Sequence, residues 1–233
     1  MHVLAFVTQK GGTGKSTIAS SLAVAAYEAG ERVAILDMDP QQSLTTWSEK
    51  RGRGDVPVQA VSLDELDVML DILRSAGVTL CVIDTEGTAS DTAVAAMQAA
   101  DLCIIPVRPN AFDLWASDVT RRKVRSLGKD AVFLLNQCPP LQQGPRVQAG
   151  VQALEAAGAL LSPVIVSRVD YQDAGRSGAG VTEVNRSGLA AEEMRKLWAS
   201  VVRQAPAGTF ATPPAAQDHE TVTTETEATL ISA

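Results

Sequence analysis

The stretch Lys10-Gly11-Gly12-Thr13-Gly14-Lys15-Ser16-Thr17 stands directly after the apolar run Val3-Leu4-Ala5-Phe6-Val7 and directly before a helical pattern. Glycines at 11, 12 and 14 let the backbone turn tightly and point consecutive N–H groups at one spot, where the positive end of the following helix adds to the field. That is a phosphate cradle. Lys15 is placed to reach β- and γ-phosphates, and the Ser16 hydroxyl to sit on a magnesium ion bridging the same oxygens. The general form of such a loop has glycine where this chain has Gln9, and a second lysine, Lys10, stands at the entrance instead.

Outward from the loop, apolar runs alternate with helical patterns. Ile18, Leu22, Ala23 and Ala26 recur at helical spacing, that helix ends near Gly30, and Arg32–Asp37 reads as a buried parallel strand. Further strand-like runs lie at 58–61, 79–84, 102–107, 131–136 and 163–166, the first of them behind Pro57 and therefore an edge candidate. Helical candidates lie at about 64–76, 89–99, 113–127, 146–158 and 189–203. The alternation predicts an α/β fold, a mostly parallel twisted sheet with helices on both faces, whose ligand sits at the carboxyl ends of the strands.

The length of 233 residues suits one large α/β domain, expected over residues 1–204. Beyond Gln204 the composition turns to Ala, Pro, Thr and acidic residues, which predicts a flexible tail over 205–233. The chain's net charge is −7; Asp218, Glu220, Glu225 and Glu227, with no Lys or Arg beside them, leave only −3 to residues 1–204. The folded part therefore has room for local basic faces. No apolar run approaches the roughly 20 residues of a membrane helix, no secretory leader is visible, and the tail lacks the basic residues of an amphipathic anchor. A cytoplasmic location without membrane association is expected. Cys81, Cys103 and Cys138 are widely spaced, which argues against a disulfide or metal framework; the first two sit in apolar runs, and Cys138 is expected to be the reachable one.

The strand ends carry the remaining chemistry. Asp37-Met38-Asp39-Pro40-Gln41 brings two carboxylates to the edge that carries the glycine loop, one of them suited to position a water for attack on a γ-phosphate. Either aspartate alone is also a reasonable turn residue before Pro40. Leu80-Cys81-Val82-Ile83-Asp84 has the form of a strand ending in the acid that holds magnesium opposite Ser16, and Thr85-Glu86-Gly87 would follow it near the γ-phosphate. Pro109 and Asn136, each just beyond a later strand, suit a purine ring and its amine.

Together these motifs resemble the ParA/MinD family of deviant Walker-type ATPases over nearly all of residues 1–204. Ser43-Leu44-Thr45-Thr46-Trp47, Arg168-Val169-Asp170-Tyr171 and Gly180-Val181-Thr182-Glu183 look like the short ParA proteins without an added N-terminal DNA-binding domain. The resemblance implies that Lys10 is the signature lysine reaching the nucleotide of the partner subunit in an ATP-sandwich homodimer. It implies that Lys15 and Ser16 hold phosphate and Mg2+ within the subunit, that Asp39 orients the attacking water, that Asp37 assists at the metal and that Asp84 is the second-motif acid. Lys10, Gly11, Gly12, Thr13, Gly14, Lys15, Ser16 and Thr17 then form the ATP site, with Pro109 and Asn136 loosely matching adenine-side positions. Glu86 departs from the proline or small residue of many relatives and places a carboxylate beside the expected γ-phosphate.

By the same resemblance, the chain is expected to dimerise on ATP, bind DNA nonspecifically, associate with the nucleoid and hydrolyse ATP slowly until a ParB-like or adaptor protein stimulates it. Segregation of plasmid or chromosomal DNA is one expected task. A DNA-transfer accessory of VirC type or a protein-cargo positioner is another, and a metabolic or metal-carrier enzyme a third, which lacks a paired cysteine site. The DNA-facing candidates are Arg121, Arg122, Lys123 and Arg125, and separately Arg195, Lys196 and Arg203.

Overall fold

A computed structural model of the chain describes residues 1–140 and 144–210. Strand β1 (His2–Phe6) lies in the middle of a seven-stranded sheet. On one side it pairs with β4 (Leu80–Asp84), followed outward by β2 (Val33–Asp37) and β3 (Val58–Ala60). On the other side lie β5 (Leu102–Val107), β6 (Ala131–Leu135) and the two-residue β7 (Ala159–Leu160). Every pairing is parallel, and in register Phe6 stands beside Asp84, which stands beside Asp37. The loop after β1 and both acidic strand ends therefore open at one edge.

Successive side chains of a strand point to opposite faces, and the strands are apolar on both. Leu4, Phe6, Ile35, Val82 and Ile104 face α1 (Lys15–Glu28), Trp47 of α2 (Ser43–Arg51), Tyr171 of α7 (Val169–Ser177), Val181 of α8 (Val181–Val184) and Met194, Leu197 and Trp198 of α9 (Leu189–Gln204). Val3, Ala5, Ile83 and Ile105 face Leu70 of α3 (Leu66–Ser75), Met97 of α4 (Asp91–Ala99), Val124 of α5 (Ala111–Ser126) and Leu154 of α6 (Pro145–Ala157). Each large apolar side chain so buried contributes about 1.5–3 kcal/mol relative to exposure. Helix α1 is buried nearly all round because it is roofed by α8 and α9, and its small residues Ala19, Ala23 and Ala26 permit the close approach.

Three expectations need correction. Residues 163–166 are not a strand: the last strand is β7, Pro163 has no N–H to give a ladder, and only Val166 bridges, to Cys138. Cys138 is fully buried in the second core rather than reachable. Helix α9 ends at Gln204 as expected, but the chain stays on the domain as far as Phe210, whose ring meets Trp198 at 4.9 Å and His2 at 5.2 Å edge-on. The rest of the expected tail, 211–233, lies outside the described residues. No helix among the described residues is long and apolar enough to cross a membrane.

Candidate nucleotide site at the carboxyl edge of the sheet

The glycine loop is held from behind by the end of β6. Asn136 Nδ2 donates to the Thr13 carbonyl at 2.7 Å and Gln137 Nε2 to the Gly12 carbonyl at 3.0 Å. Gly12 and Gly14 have φ of 75° and 89°, and a Cβ on Gly14 would stand 2.5 Å from Asn136 Nδ2, so glycine is required there for conformation and for space. Helix α1 begins at Lys15 with no side chain capping its first turn, which leaves the helix N-terminus open toward the hollow of the loop.

Lys15 is buried beside this hollow. Burial weakens its hold on the proton, while the carboxylates of Asp84, Asp39 and Glu86 act in the opposite sense. Ser16 Oγ donates to Asp84 Oδ2 at 2.5 Å. Asp84 is fully buried, and burial pushes its carboxyl up to about 7 against the opposing influence of Ser16 and Lys15. Its second oxygen, Oδ1, has no hydrogen-bond partner among the described residues, and neither has the buried Thr13 hydroxyl. An orphaned carboxylate oxygen next to a serine hydroxyl is the all-oxygen donor set that suits a hard divalent cation, so the residues present fit Mg2+ held by Ser16 and Asp84.

The two aspartates after β2 separate by role. Asp37 Oδ2 accepts from the Leu44 and Thr45 N–H groups at 3.0 and 2.9 Å and from the Thr45 hydroxyl at 3.1 Å, while Oδ1 accepts from the Asp39 N–H. These bonds tie Asp37 to the start of α2 chiefly through Oδ2, and Oδ1, with its single bond at 3.3 Å, keeps acceptor capacity at the edge where the metal role is expected. Asp39 is half-buried; its Oδ1 caps the Gln41 N–H at 2.9 Å, and its charge reaches Lys15 and Asp84.

Glu86 also acts on Lys15, so its carboxylate borders the same hollow. The loop that carries it lies directly on the glycine loop: a Cβ on Gly87 would be 2.9 Å from both Cα and N of Gly11. Lys10 is exposed at the rim and makes no ion pair among the described residues. Arg108, which the sequence did not single out, also comes to the loop, with its guanidinium 3.7 Å from where a Gly12 Cβ would be and salt-bridged to Asp113.

Beside the loop opens a cavity of about 290 Å³ lined by Gly14, Thr17, Ile18, Asn136, Arg168 and Tyr171. Its size and mixed lining suit a nucleobase. Asn136 is therefore on it. Pro109 is not: it is buried, with its Cβ 3.7 Å from where a Cβ on Gly150 of α6 would stand, so it turns to that helix rather than to the cavity. Tyr171 and Arg168 were visible in sequence only as part of a family-like ending, since a tyrosine thirty-five residues beyond Asn136 carries no spacing signal. Arg168 is oriented by Glu193 at 2.6 Å, and the Tyr171 hydroxyl is buried without a partner among the described residues.

The two basic clusters are not brought together. Helix α5 packs on one face of the sheet and α9 on the other. Arg121 and Arg122 share Asp118, whereas Lys123 and Arg125 are exposed and form no ion pair among the described residues. On α9, Lys196 pairs with Glu192, Arg195 donates to the Arg186 carbonyl and Arg203 is exposed.

Comparison with known proteins agrees with this geometry. The chain is 34% identical over 164 residues to maintenance of carboxysome distribution protein A of Gloeobacter kilaueensis, covering 66% of this chain and 75% of that one. It is 29% identical over 212 residues to the protein of the same name from Halothiobacillus neapolitanus, covering 85% and 95%. Protein ParA of Rhizobium radiobacter is 35% identical over 117 residues, about half of each chain. Among solved structures, the cell division ATPase MinD of Pyrococcus furiosus superposes with a TM-score of 0.70 at 18% identity, over 88% of this chain and 99% of that one, which is a likeness of fold. A family model for the CobQ/CobB/MinD/ParA nucleotide binding domain matches residues 4–207, almost the whole described structure, and the chain belongs to that family as a P-loop ATPase of its ParA/MinD group.

Proposed function

We propose that this ATPase is a dimerising switch: two copies close over two ATP–Mg2+ complexes, the dimer binds DNA without sequence preference, and hydrolysis returns it to monomers. The observation that carries the reading is Lys10, a solvated lysine with no ion-pair partner among the described residues, at the rim of a loop whose other charged residue, Lys15, is buried. A cation in that position stabilises phosphate most when a second chain brings it, so ATP favours the dimer and the dimer completes the site. Within the subunit, Lys15 and the α1 N-terminus hold the phosphates, Ser16 and Asp84 hold Mg2+, which supplies charge neutralisation at the β- and γ-oxygens, and Asp39 orients the water. Gly87 packed on Gly11 supports coupling between the loop after β4 and the nucleotide.

The deciding experiment is sedimentation of the Lys10→Ala variant with and without ATP. ATP binding is expected to persist while the ATP-dependent dimer is lost; an undiminished dimer overturns the cross-subunit role. For the cargo, a protein assembly is a second reading beside a replicon, favoured because the matches that span most of the chain are to carboxysome distribution proteins. Fluorescently tagged protein following an introduced plasmid rather than a protein particle in living cells decides for the replicon.

A further inference from the structure

Helix α5 carries an exposed stripe that the nucleotide site does not use. Phe112 is 70% exposed and Trp115 66%, with their rings edge-on at 5.4 Å, and Val119 follows at 42%. Residues 112, 115, 119 and 122 fall on one helix face by the three- and four-residue spacing, so the apolar stripe runs into Arg122, with Lys123 and Arg125 beside it. Trp115, Val119 and Arg122 also border a groove of about 560 Å³ between α5 and α6, floored by Leu154 and Ala157. A patch of this kind, aromatic at one end and cationic at the other, selects an occupant with acidic and apolar groups in matching order.

The chain itself contains one. Residues 211–233 hold Asp218, Glu220, Glu225 and Glu227, then Leu230-Ile231, and no Lys or Arg. The segment leaves the domain at the right place. Phe210 rests on His2 at the start of β1, and Pro206 lines the same cavity as Asp130 and Ala131, in the turn that joins the cationic end of α5 to β6. An extended chain leaving there meets the cations of α5 first and its aromatics afterwards. The spacings agree as well: Arg122 to Trp115 is seven helical residues, about 10 Å, and Glu227 to Leu230 is three extended residues, also about 10 Å. The eight residues from 211 to 218 span up to about 26 Å, ample for the approach.

We propose that residues 211–233 dock along α5 of their own chain, the acidic residues on Arg122, Lys123 and Arg125 and Leu230-Ile231 on Val119, Trp115 and Phe112. The segment thereby covers a basic face that would otherwise take nucleic-acid phosphate, and acts as an internal competitor for it. That consequence rests on the DNA-binding reading above; the docking does not.

The test uses the full chain. Its three native cysteines are buried, so a cysteine introduced as Ser232→Cys takes a bimane label selectively. Trp47 and Trp198 are buried, which makes Trp115 the quencher within reach. Bimane emission is expected to be quenched at low salt and to rise severalfold in the Trp115→Leu variant, in the variant with Asp218→Asn, Glu220→Gln, Glu225→Gln and Glu227→Gln combined, and in 1 M salt, where screening falls to about 3 Å. Emission that ignores Trp115→Leu overturns the docking. Quenching that grows with protein concentration also overturns it, because the segment then belongs to a second copy. In the DNA arm, the four-residue neutralised variant is expected to bind duplex DNA with ATP about fivefold more tightly at low salt, the scale of a few exposed charge pairs. Docking with no binding of DNA by either variant overturns the DNA reading and leaves the docking standing; docking with equal DNA affinity overturns the competition.

Discussion

Two buried charges of this protein are treated in opposite ways. Arg51 of α2 has a fully buried side chain with all five N–H donors used: Nε and Nη2 on Asp55, Nη1 and Nη2 on Glu183, and Nη1 also on the Gly178 carbonyl at 3.1 Å. It lies over the Trp47 ring, whose Nε1 donates to Ala179, and Gly178 is held so close that a Cβ would stand 2.2 Å from Arg51 N. Lys15, faced by the carboxylates of Asp84, Asp39 and Glu86 at the carboxyl edge of the sheet, makes no hydrogen bond among the described residues, and it sits with the orphaned Asp84 Oδ1 and Thr13 hydroxyl. The first region braces α2 against α7 and α8. The second leaves polar groups unsatisfied where a ligand must satisfy them, which is the local cost expected at a binding site.

The sharpest way to break that contrast is Lys15→Ala. It removes charge-assisted bonds to phosphate worth about 4 kcal/mol together, roughly a thousandfold in affinity. Because the native ammonium is desolvated without a hydrogen bond, the unfolding midpoint in urea is expected to hold or rise. Calorimetry with ATP and urea melts on one preparation read both; a stability loss as large as the binding loss would make Lys15 a structural residue. Arg51→Met should do the reverse. Leaving Glu183 and Asp55 without their cation is expected to cost about 3 kcal/mol of stability, while ATP affinity, measured well below the melting temperature, stays within about threefold.

Much of the nucleotide edge was legible beforehand because its requirements are local. Gly11 to Thr17 need small residues, a lysine and a hydroxyl at fixed spacing, and Asp84 ends a run of buried strand residues, so sequence order and spatial order coincide. The brace was not legible. Arg51 and Asp55 are neighbours in sequence but Glu183 lies 132 residues beyond Arg51, and α2 and α7 are short helices rich in polar residues whose buried positions, such as Trp47 and Tyr171, are too few for a periodic signal. The packing partners of Asp37 and Pro109 were hidden for a related reason. A strand-end aspartate and a proline look the same in sequence whether they meet a ligand or the next helix, and only the packing of α2 and α6 decides.

Asp37 and Asp39 allow the contrast to be drawn within three residues. Asp37→Ala leaves the Leu44 and Thr45 N–H groups unsatisfied at a buried helix start, for an expected loss of about 2 kcal/mol. Asp39→Ala is expected to leave the urea midpoint within about 0.5 kcal/mol, as for a half-exposed group outside the core, to retain ATP and to lose turnover. Exchange of these two phenotypes would move the water-orienting role to Asp37.

The smallest expected effect is the brace's response to acid. Burial alone would raise the Glu183 carboxyl, but the Arg51 hydrogen bonds, the Gly180 N–H and the nearby guanidinium charges bring it below its ordinary 4.5. Asp55 is held below 3.8, chiefly by its hydrogen bonds from Arg51. A carboxylate whose folded value is depressed contributes stability that is present above its unfolded value and is lost as pH falls through the folded one. Melting curves from pH 6 down to about pH 3 should therefore show a decline below pH 4.5, with each partly solvated pair contributing at most about 1 kcal/mol. In Arg51→Met that part of the decline should shrink, since the Arg51 hydrogen bonds are gone and only the Gly180 and Val56 N–H groups and Arg53 still favour the two carboxylates. An acid limb of unchanged steepness in the variant would place the titrating groups elsewhere and leave Arg51 a packing residue whose charge is incidental.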